Sequence, residues 1–333
     1  MKIIQVFRKG NERFFSIESV FSRIRRAWPV AGLPEKWELP VSGVSVKNLL
    51  FLYRESRKRK AAVYHVTGDA HYAVLALPRW STILTIHDAV FLEQQKGIKR
   101  WVLKKILLDI PVRYSRIITT ISEKSKNEIL QHSSCDPRKI RVIPNPVSPA
   151  IRYREEPFNS AEPRILFVGV KPNKNLERVC VAIRNLPCRL TIIGKLFPHQ
   201  VRLLDQHGIR YEALHGITEE EMAEKFAQSD IILFPSLYEG FGLPVIEGFR
   251  AGRVVVTSDI SPMKDIAENA ACLVDPYRTD SIREGLEKVI RDPAYRERLV
   301  RLGLEIVKKY EPEAIARRYY ELYQEISNET CAE

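Results

Sequence analysis

Two glutamates, Glu239 and Glu247, enclose the run Gly240-Phe241-Gly242-Leu243-Pro244-Val245-Ile246. Pro244 suits a first helical position, so Phe241, Gly242 and Leu243 would present backbone N–H groups at a helix N-terminus. Those amides and the helix dipole favour a phosphate or another anionic group. Glycines at 240 and 242 let backbone approach a ligand with no Cβ in the way. Glu239 falls in the loop and Glu247 about one turn into the helix. Each carboxylate could accept hydrogen bonds from hydroxyls of one ligand, and sugar hydroxyls suit that pair better than a second anion would. The glycines do not make a dinucleotide fingerprint, because the third glycine of G-x-G-x-x-G falls on Val245.

The elements that must position this loop are legible from apolar runs. Ile165-Leu166-Phe167-Val168, Leu190-Thr191-Ile192-Ile193, Ile231-Ile232-Leu233-Phe234 and Val254-Val255-Val256-Thr257 barely alternate. Each reads as a strand buried on both faces of a parallel sheet. Thr218 with Glu221 makes a capping box, and Ser261-Pro262 reads as an N-cap and first helical residue. Earlier in the chain, Ile3–Phe7, Val63–Val66, Ile83–Ile86, Ile117–Ile121 and Ile140–Ile143 are strand candidates, with helical patterns at 17–27, 46–58, 97–109 and 122–131. Alternation of this kind implies βαβ units in doubly wound α/β sheets, with ligands at the C-terminal strand ends. Five prolines between 144 and 163 mark a linker. The expected division is a domain at 1–150, a linker at 151–163, a second domain at 164–311 and a terminal helix at 312–333.

Length and composition agree. A chain of 333 residues with 45% hydrophobic and 28% charged residues is an ordinary globular protein of about two domains. No apolar run approaches the roughly 20 residues that span a bilayer. The start, Met1 to Arg8, is charged too soon for a signal peptide, so a cytoplasmic location is expected. Cys135, Cys180, Cys188, Cys272 and Cys331 show no metal-ligand spacing and read as idle thiols. Residues 1–150 carry 27 Lys+Arg against 12 Asp+Glu, a net +15, whereas residues 151–333 carry a net −3. One half therefore suits an acidic partner: a phosphorylated substrate, an anionic membrane surface or nucleic acid. No recognised nucleic-acid module supports the last.

The spacing of Glu239 and Glu247 around Gly-Phe-Gly-Leu-Pro resembles the signature of retaining nucleotide-sugar glycosyltransferases of family GT4. Phe167-Val168-Gly169 with Lys174-Asn175-Leu176-Glu177 is similar to that family's donor-phosphate segment. Thr85-Ile86-His87-Asp88 and Val142-Ile143-Pro144-Asn145-Pro146-Val147 also resemble family segments. The resemblance covers most of the chain and implies the GT-B fold, two Rossmann-like domains with parallel sheets facing across a cleft. It implies that Glu247 binds the donor ribose and that Glu239 contacts the transferred sugar. The amides of Phe241, Gly242 and Leu243 would lie near the sugar or diphosphate. Lys174 would stabilise the diphosphate leaving group beside Gly169, and His87 would approach the sugar from the first domain. It further implies retention by front-face attack, no metal and no cofactor beyond the nucleotide-diphosphate sugar that serves as donor. Two departures stand out. Val170 occupies the place where the family usually carries an arginine, with Lys171 the adjacent cation. The loop after the first strand is Arg8-Lys9-Gly10-Asn11 rather than Gly-Gly, and its charge would suit a phosphorylated acceptor.

Two basic stretches complete the reading. Arg54 to Lys60 ends one helix. Lys96, Lys99, Arg100, Lys104 and Lys105 share another with Ile98, Trp101, Val102, Leu103, Ile106 and Leu107. The second is a basic amphipathic pattern that fits the inner face of a membrane, or else a docked helix with its charges in water. The terminal helix, with Arg317, Tyr319, Tyr320 and Tyr323, would by family analogy cross back onto the first domain. The function expected is transfer of a sugar from a nucleotide-diphosphate donor to a hydroxyl of a glycan or lipid-linked glycan, in surface polysaccharide synthesis. The alternatives are a non-catalytic nucleotide-sugar or polyanion binder on the same scaffold, or another GT-B activity such as epimerisation or phosphorolysis.

Overall fold

The structure is a computed structural model that describes residues 1–10, 16–88 and 97–332, with side chains described from 18 on in the first helix and up to 329 in the last. Asn11 of the first loop, Lys96 of the basic helix and the Cys331 side chain lie outside what is described. The chain divides into two compact units, one of residues 1–146 with 312–333 and one of residues 147–311.

The first unit is built on a six-stranded parallel sheet: β1 (Ile3–Phe7), β2 (Glu35–Glu38), β3 (Val63–Val66), β4 (Thr82–Ile86), β5 (Ile117–Thr120) and β6 (Ile140–Val142). Their order is β2-β1-β3-β4-β5-β6. The second unit holds β7 (Arg164–Val168), β8 (Arg189–Ile193), β9 (Tyr211–Leu214), β10 (Ile231–Phe234), β11 (Val254–Ser258) and β12 (Cys272–Val274), also all parallel. Their order is β12-β11-β10-β7-β8-β9. Read from the other edge, the second sheet has the dinucleotide-fold order 3-2-1-4-5-6, whereas the first has the 2-1-3-4-5 order of flavodoxin-like sheets with one strand added. The direction of winding reverses between β1 and β3 in the first sheet and between β7 and β10 in the second.

Helices cover both faces of each sheet, which is why the strand runs do not alternate. In the first unit Ile4, Val6, Tyr64, Val66, Leu84, Ile86 and Ile118 pack against Leu52, Leu108 and Val112. The opposite face carries Ile3, Phe7, Val63, Ile83 and Ile117 and packs against Phe21, Ile24, Ile315, Tyr319 and Tyr323. The helix Pro312–Ala332 therefore belongs to the first unit's core. The segment expected as a linker lies with the second unit: Asn159 N donates to Asp230 Oδ1 at 3.2 Å, and Arg250 Nε donates to the Ile151 carbonyl at 3.1 Å. Those bonds satisfy a backbone that its prolines keep out of helix and sheet.

Three details differ from expectation. Ser261–Pro262 is a cis peptide bond and the helix there begins at Met263, so the serine is not its N-cap. The basic pattern at 97–109 is helical as expected, but it changes from α over Gly97–Lys104 to π over Lys105–Asp109 and runs on as α over Ile110–Tyr114. The helix of the glutamate loop starts at Leu243, which makes Pro244 its second residue and Gly242, at φ +122°, its cap.

A buried polar row crosses the first sheet beneath the terminal helix. Arg25 Nη1 donates to Gln5 Oε1 at 3.2 Å, which leaves the Gln5 amide nitrogen to donate to the Tyr323 hydroxyl at 3.1 Å. That hydroxyl can then donate to His65 Nδ1, 2.5 Å away, while His65 Nε2 reaches Thr85 Oγ1 at 2.6 Å and Thr85 reaches Thr119 at 2.6 Å. Gln5, His65, Thr85 and Thr119 lie on four adjacent strands and are fully buried. Burial pushes the His65 pKa down to about 3. An unfolded chain with its histidine near 6.5 therefore binds a proton between about pH 6.5 and about 3 that the folded chain does not. This contribution is complete above about pH 6.5 and is lost as pH falls toward the folded value. His65→Gln should show a shallower fall of Tm than the parent between about pH 6.5 and 4.5. Tyr323→Phe, which leaves two buried polar atoms without their partner, should cost about 1–3 kcal/mol in urea unfolding of the first unit.

Candidate functional site

At the reversal point of the second sheet, the loops after β7 and β10 meet. Gly169 follows β7 with φ +93°, and a Cβ there would stand 2.8 Å from Lys174 Cε, so the lysine side chain lies directly across the glycine. Lys174 Nζ is 2.6 Å from Glu239 Oε1 and 4.6 Å from the centre of the Phe234 ring. Both side chains of the pair are more than four-fifths buried. In a low-dielectric setting of this kind a charge acts more strongly than in bulk water.

The segment is pinned by asparagines that motif reading did not single out as site residues. Asn173 Nδ2 donates to the Tyr238 carbonyl at 2.8 Å and to Glu239 Oε1 at 3.3 Å, and its own carbonyl accepts from Leu237 N at 2.8 Å. Asn175, buried and left-handed at φ +71°, donates through Nδ2 to the carbonyls of Pro235 at 3.0 Å and Pro276 at 2.7 Å. One side chain thus fastens the ends of three loops, and asparagine is among the few residues besides glycine that adopt this conformation readily. The Lys174-Asn175 pair was the available signal for it.

Beyond Glu239 the chain turns into the helix Leu243–Arg250, whose first backbone bond is Val245 N to the Gly242 carbonyl at 3.0 Å. The amides of Phe241, Gly242 and Leu243 therefore sit at its N-terminus, with Phe241 and Gly242 buried. Glu247 lies on the same helix at 9% exposure. Lys171 is exposed on the turn before Pro172, as an available cation beside the site. Val170 faces inward: a Cβ at Gly194 would meet its Cγ1 at 2.7 Å, and it belongs to the second unit's core. The position at which the resemblance would place an arginine is thus used for packing here.

The remaining candidate, His87, belongs to the first unit, just past β4. Its Nε2 donates to the Thr67 carbonyl at 3.0 Å, so in the neutral ring Nδ1 is the acceptor. Burial lowers its pKa, which keeps the ring neutral at physiological pH. Ser125 Oγ donates to the His87 carbonyl at 3.1 Å and fixes its backbone. Between the ends of β1 and β3, where this sheet reverses, a cavity of about 420 Å³ is lined by Arg8, Lys9, Asp69, His71 and Tyr72 among others. Arg8 is held there by Glu18 at 2.7 Å and by Asp69.

Comparison with known proteins decides the family. Residues 152–304 match the model of glycosyl transferases group 1, and residues 14–151 match that of Glycosyltransferase Family 4. The chain belongs to the family 4 glycosyltransferases. Within the family it is 23% identical over 246 residues to the serotype-specific mannosyltransferase WbdA of Escherichia coli, covering 66% of this chain and 30% of that one. It is 26% identical over 254 residues to the MMP alpha-(1->4)-mannosyltransferase of Mycolicibacterium hassiacum, covering 72% and 58%. The chain thus spans less than two thirds of the length of these relatives. The fold is that of Anabaena HepE, solved with UDP and glucose, at TM-score 0.77 and 12% identity over 97% of this chain and 100% of that one. This family 4 chain therefore has the GT-B fold.

Asn175→Ala would leave two carbonyls unpaired, each worth about 1–3 kcal/mol when buried. Chemical denaturation should show the second unit destabilised by about 2–4 kcal/mol. Asn175→Asp, which keeps the shape but sets a carboxylate against two carbonyls, should do no better. A midpoint unchanged in both variants would remove the asparagine from its positioning role.

Proposed function

We propose that this family 4 chain is a retaining, metal-independent hexosyltransferase that moves a sugar from a nucleotide-diphosphate donor to a hydroxyl of a glycan or lipid-linked glycan. The observation that carries the reading is the meeting of Lys174 with Glu239 at the reversal point of the second sheet, beside the N-terminus of the helix that bears Glu247. A diphosphate fits a site that offers a buried lysine and helix-terminal amides. The hydroxyls of a ribose and a sugar fit two nearby carboxylates.

In the reaction, the acceptor oxygen forms a new bond to the anomeric carbon as the bond from that carbon to the diphosphate oxygen breaks. Both events occur on one face, so the configuration is kept, and the acceptor proton passes to a phosphate oxygen of the leaving group. Lys174 would balance the charge that develops on that diphosphate, and placing the charge in advance is where such sites gain rate. Glu239 would hold the transferred sugar by its hydroxyls, and Glu247 the ribose. The mannosyl relatives make a mannosyl donor the first to test, and a surface polysaccharide is the setting suggested by relatives described as O-antigen chain mannosyltransferases.

Release of nucleoside diphosphate from a panel of UDP-, GDP-, ADP- and dTDP-sugars, with a glycan acceptor, tests the reading. One donor class should turn over at the same rate in EDTA, and NMR of the product should show the donor's anomeric configuration. Lys174→Ala should lower kcat by about 10²–10³, and Glu247→Ala should raise the donor KM. Turnover that is unchanged in Glu239→Gln and Lys174→Ala alike would remove the pair from the reaction, and nucleotide-sugar binding with no turnover of any donor would point to the non-catalytic alternative.

Membrane association forms part of the same proposal. On the helix Gly97–Lys104, Ile98 is 83% exposed and Trp101 61%, beside exposed Lys99 and Arg100. An apolar wedge flanked by cations suits an anionic bilayer surface. Among the described residues no helix is long and apolar enough to cross a membrane. The protein should co-sediment with vesicles containing phosphatidylglycerol but not with pure phosphatidylcholine, and should release as salt rises. Trp101→Ser should weaken the binding. Failure to sediment with anionic vesicles at low salt would reject it.

A further inference from the structure

The opposite, N-terminal edge of the second sheet holds a cavity of about 470 Å³ that the proposed reaction does not use. Its walls include Tyr153 and Phe158 from the segment before β7, Asp230 and Arg253 at the starts of β10 and β11, and Arg296 and Arg301 from the helix Pro293–Ile306. A guanidinium is the unusual feature here. Arg253 is only 5% exposed; one terminal nitrogen donates to the Arg154 carbonyl at 2.6 Å, and its buried Nε has no hydrogen-bond partner among the described residues.

The acids nearby are already engaged. Asp230 accepts from the Arg164 side chain at 2.9 Å through both oxygens and from the backbone of Asn159 and Arg164. Glu156 takes Arg154 at 3.0 Å. Glu155 and Glu297 are exposed at the rim, where solvent screens them. Among the described residues no carboxylate forms an ion pair with Arg253. A buried charge whose nearest acids, Glu156 and Asp230, pair with other arginines, and which keeps an unused donor, is costly, and an oxyanion would relieve both costs at once. Arg296 spends its Nη1 on the carbonyls of Val289 and Ile290 and lies 3.9 Å from the centre of the Phe158 ring, which makes it wall rather than ligand. The other wall is flat and apolar. Tyr153 lies against Gly252, where a Cβ would stand 2.4 Å from a ring carbon and where φ is +69°.

We propose that this cavity binds a small organic oxyanion, a phosphate or carboxylate carried on an aromatic or apolar body, with the anion on Arg253 and the body against Tyr153. Arg301, exposed at the mouth, adds attraction at longer range.

Calorimetric titration of the full chain with phenyl phosphate, benzoate and inorganic phosphate tests it. Phenyl phosphate or benzoate should bind saturably at one site, and whichever is tighter assigns the anion. Arg253→Met should weaken that binding by about tenfold or more. Arg301→Glu, at an exposed helix position, should weaken it several-fold and decides the matter if the first variant does not fold. Lys174→Ala should leave the binding unchanged, which separates this cavity from the proposed donor site whether or not the chain proves to be a transferase. The assignment falls if neither organic anion saturates below about 10 mM, if both arginine variants bind like the parent, or if Lys174→Ala abolishes the binding. Inorganic phosphate binding as tightly as phenyl phosphate would overturn the part assigned to the aromatic wall.

Discussion

Parallel pairing is the constraint from which the rest of this structure follows. A parallel strand cannot return by a tight turn, so each pair of strands needs a crossover, and every crossover leaves from the same edge of its sheet. Loops after β7 and β10 are therefore neighbours although 65 residues separate Lys174 from Glu239. Where the winding reverses, the crossovers on either side diverge and leave a crevice that no helix fills. In the second unit that crevice holds the Lys174–Glu239 pair, and in the first it holds the cavity beside Arg8. The chemistry of each unit is thus placed by topology before any side chain is chosen.

The central strands were all legible, and of the four edge strands only β6 was. All nine strands read from apolar runs exist, most within a residue of their expected ends. The three that were missed, β2, β9 and β12, each lie at an edge. Glu35-Lys36-Trp37-Glu38 has a single buried side chain, and Tyr211 to Leu214 has none. A strand with a neighbour on one side only needs no continuous apolar run, and charge on it discourages pairing with other chains. The same limit explains the first sheet's strand order, which depends on where β2 docks.

Within the site, the residues legible in advance were those whose spacing fixes a role through the backbone. Glu239 and Glu247 flank a helix start, and two glycines and a proline announce that start locally. Asn173 and Asn175 act instead through bonds to residues 60 to 101 positions away. No local pattern encodes that reach. Val170 shows the reverse: a sequence position associated with a charged role has been given to the core, and the packing of its side chain over Gly194 accounts for the valine.

Buried polar groups in the two units follow one rule with different outcomes. Beneath the terminal helix, the row from Arg25 through Gln5, Tyr323 and His65 to Thr85 and Thr119 is continuous, each member hydrogen-bonded to the next. Such a continuous row fixes the register of the helix on the sheet, since a shift of one residue would unpair several atoms at once. Arg253 is as deeply placed but its set is open, with a charge unmatched and an Nε unused while the acids around it are spent on other arginines. Burial alone does not separate a structural polar group from one that faces a ligand. The separation lies in whether the protein itself completes the hydrogen bonds, and by that measure the first unit's row is structural while the set around Arg253 stays open.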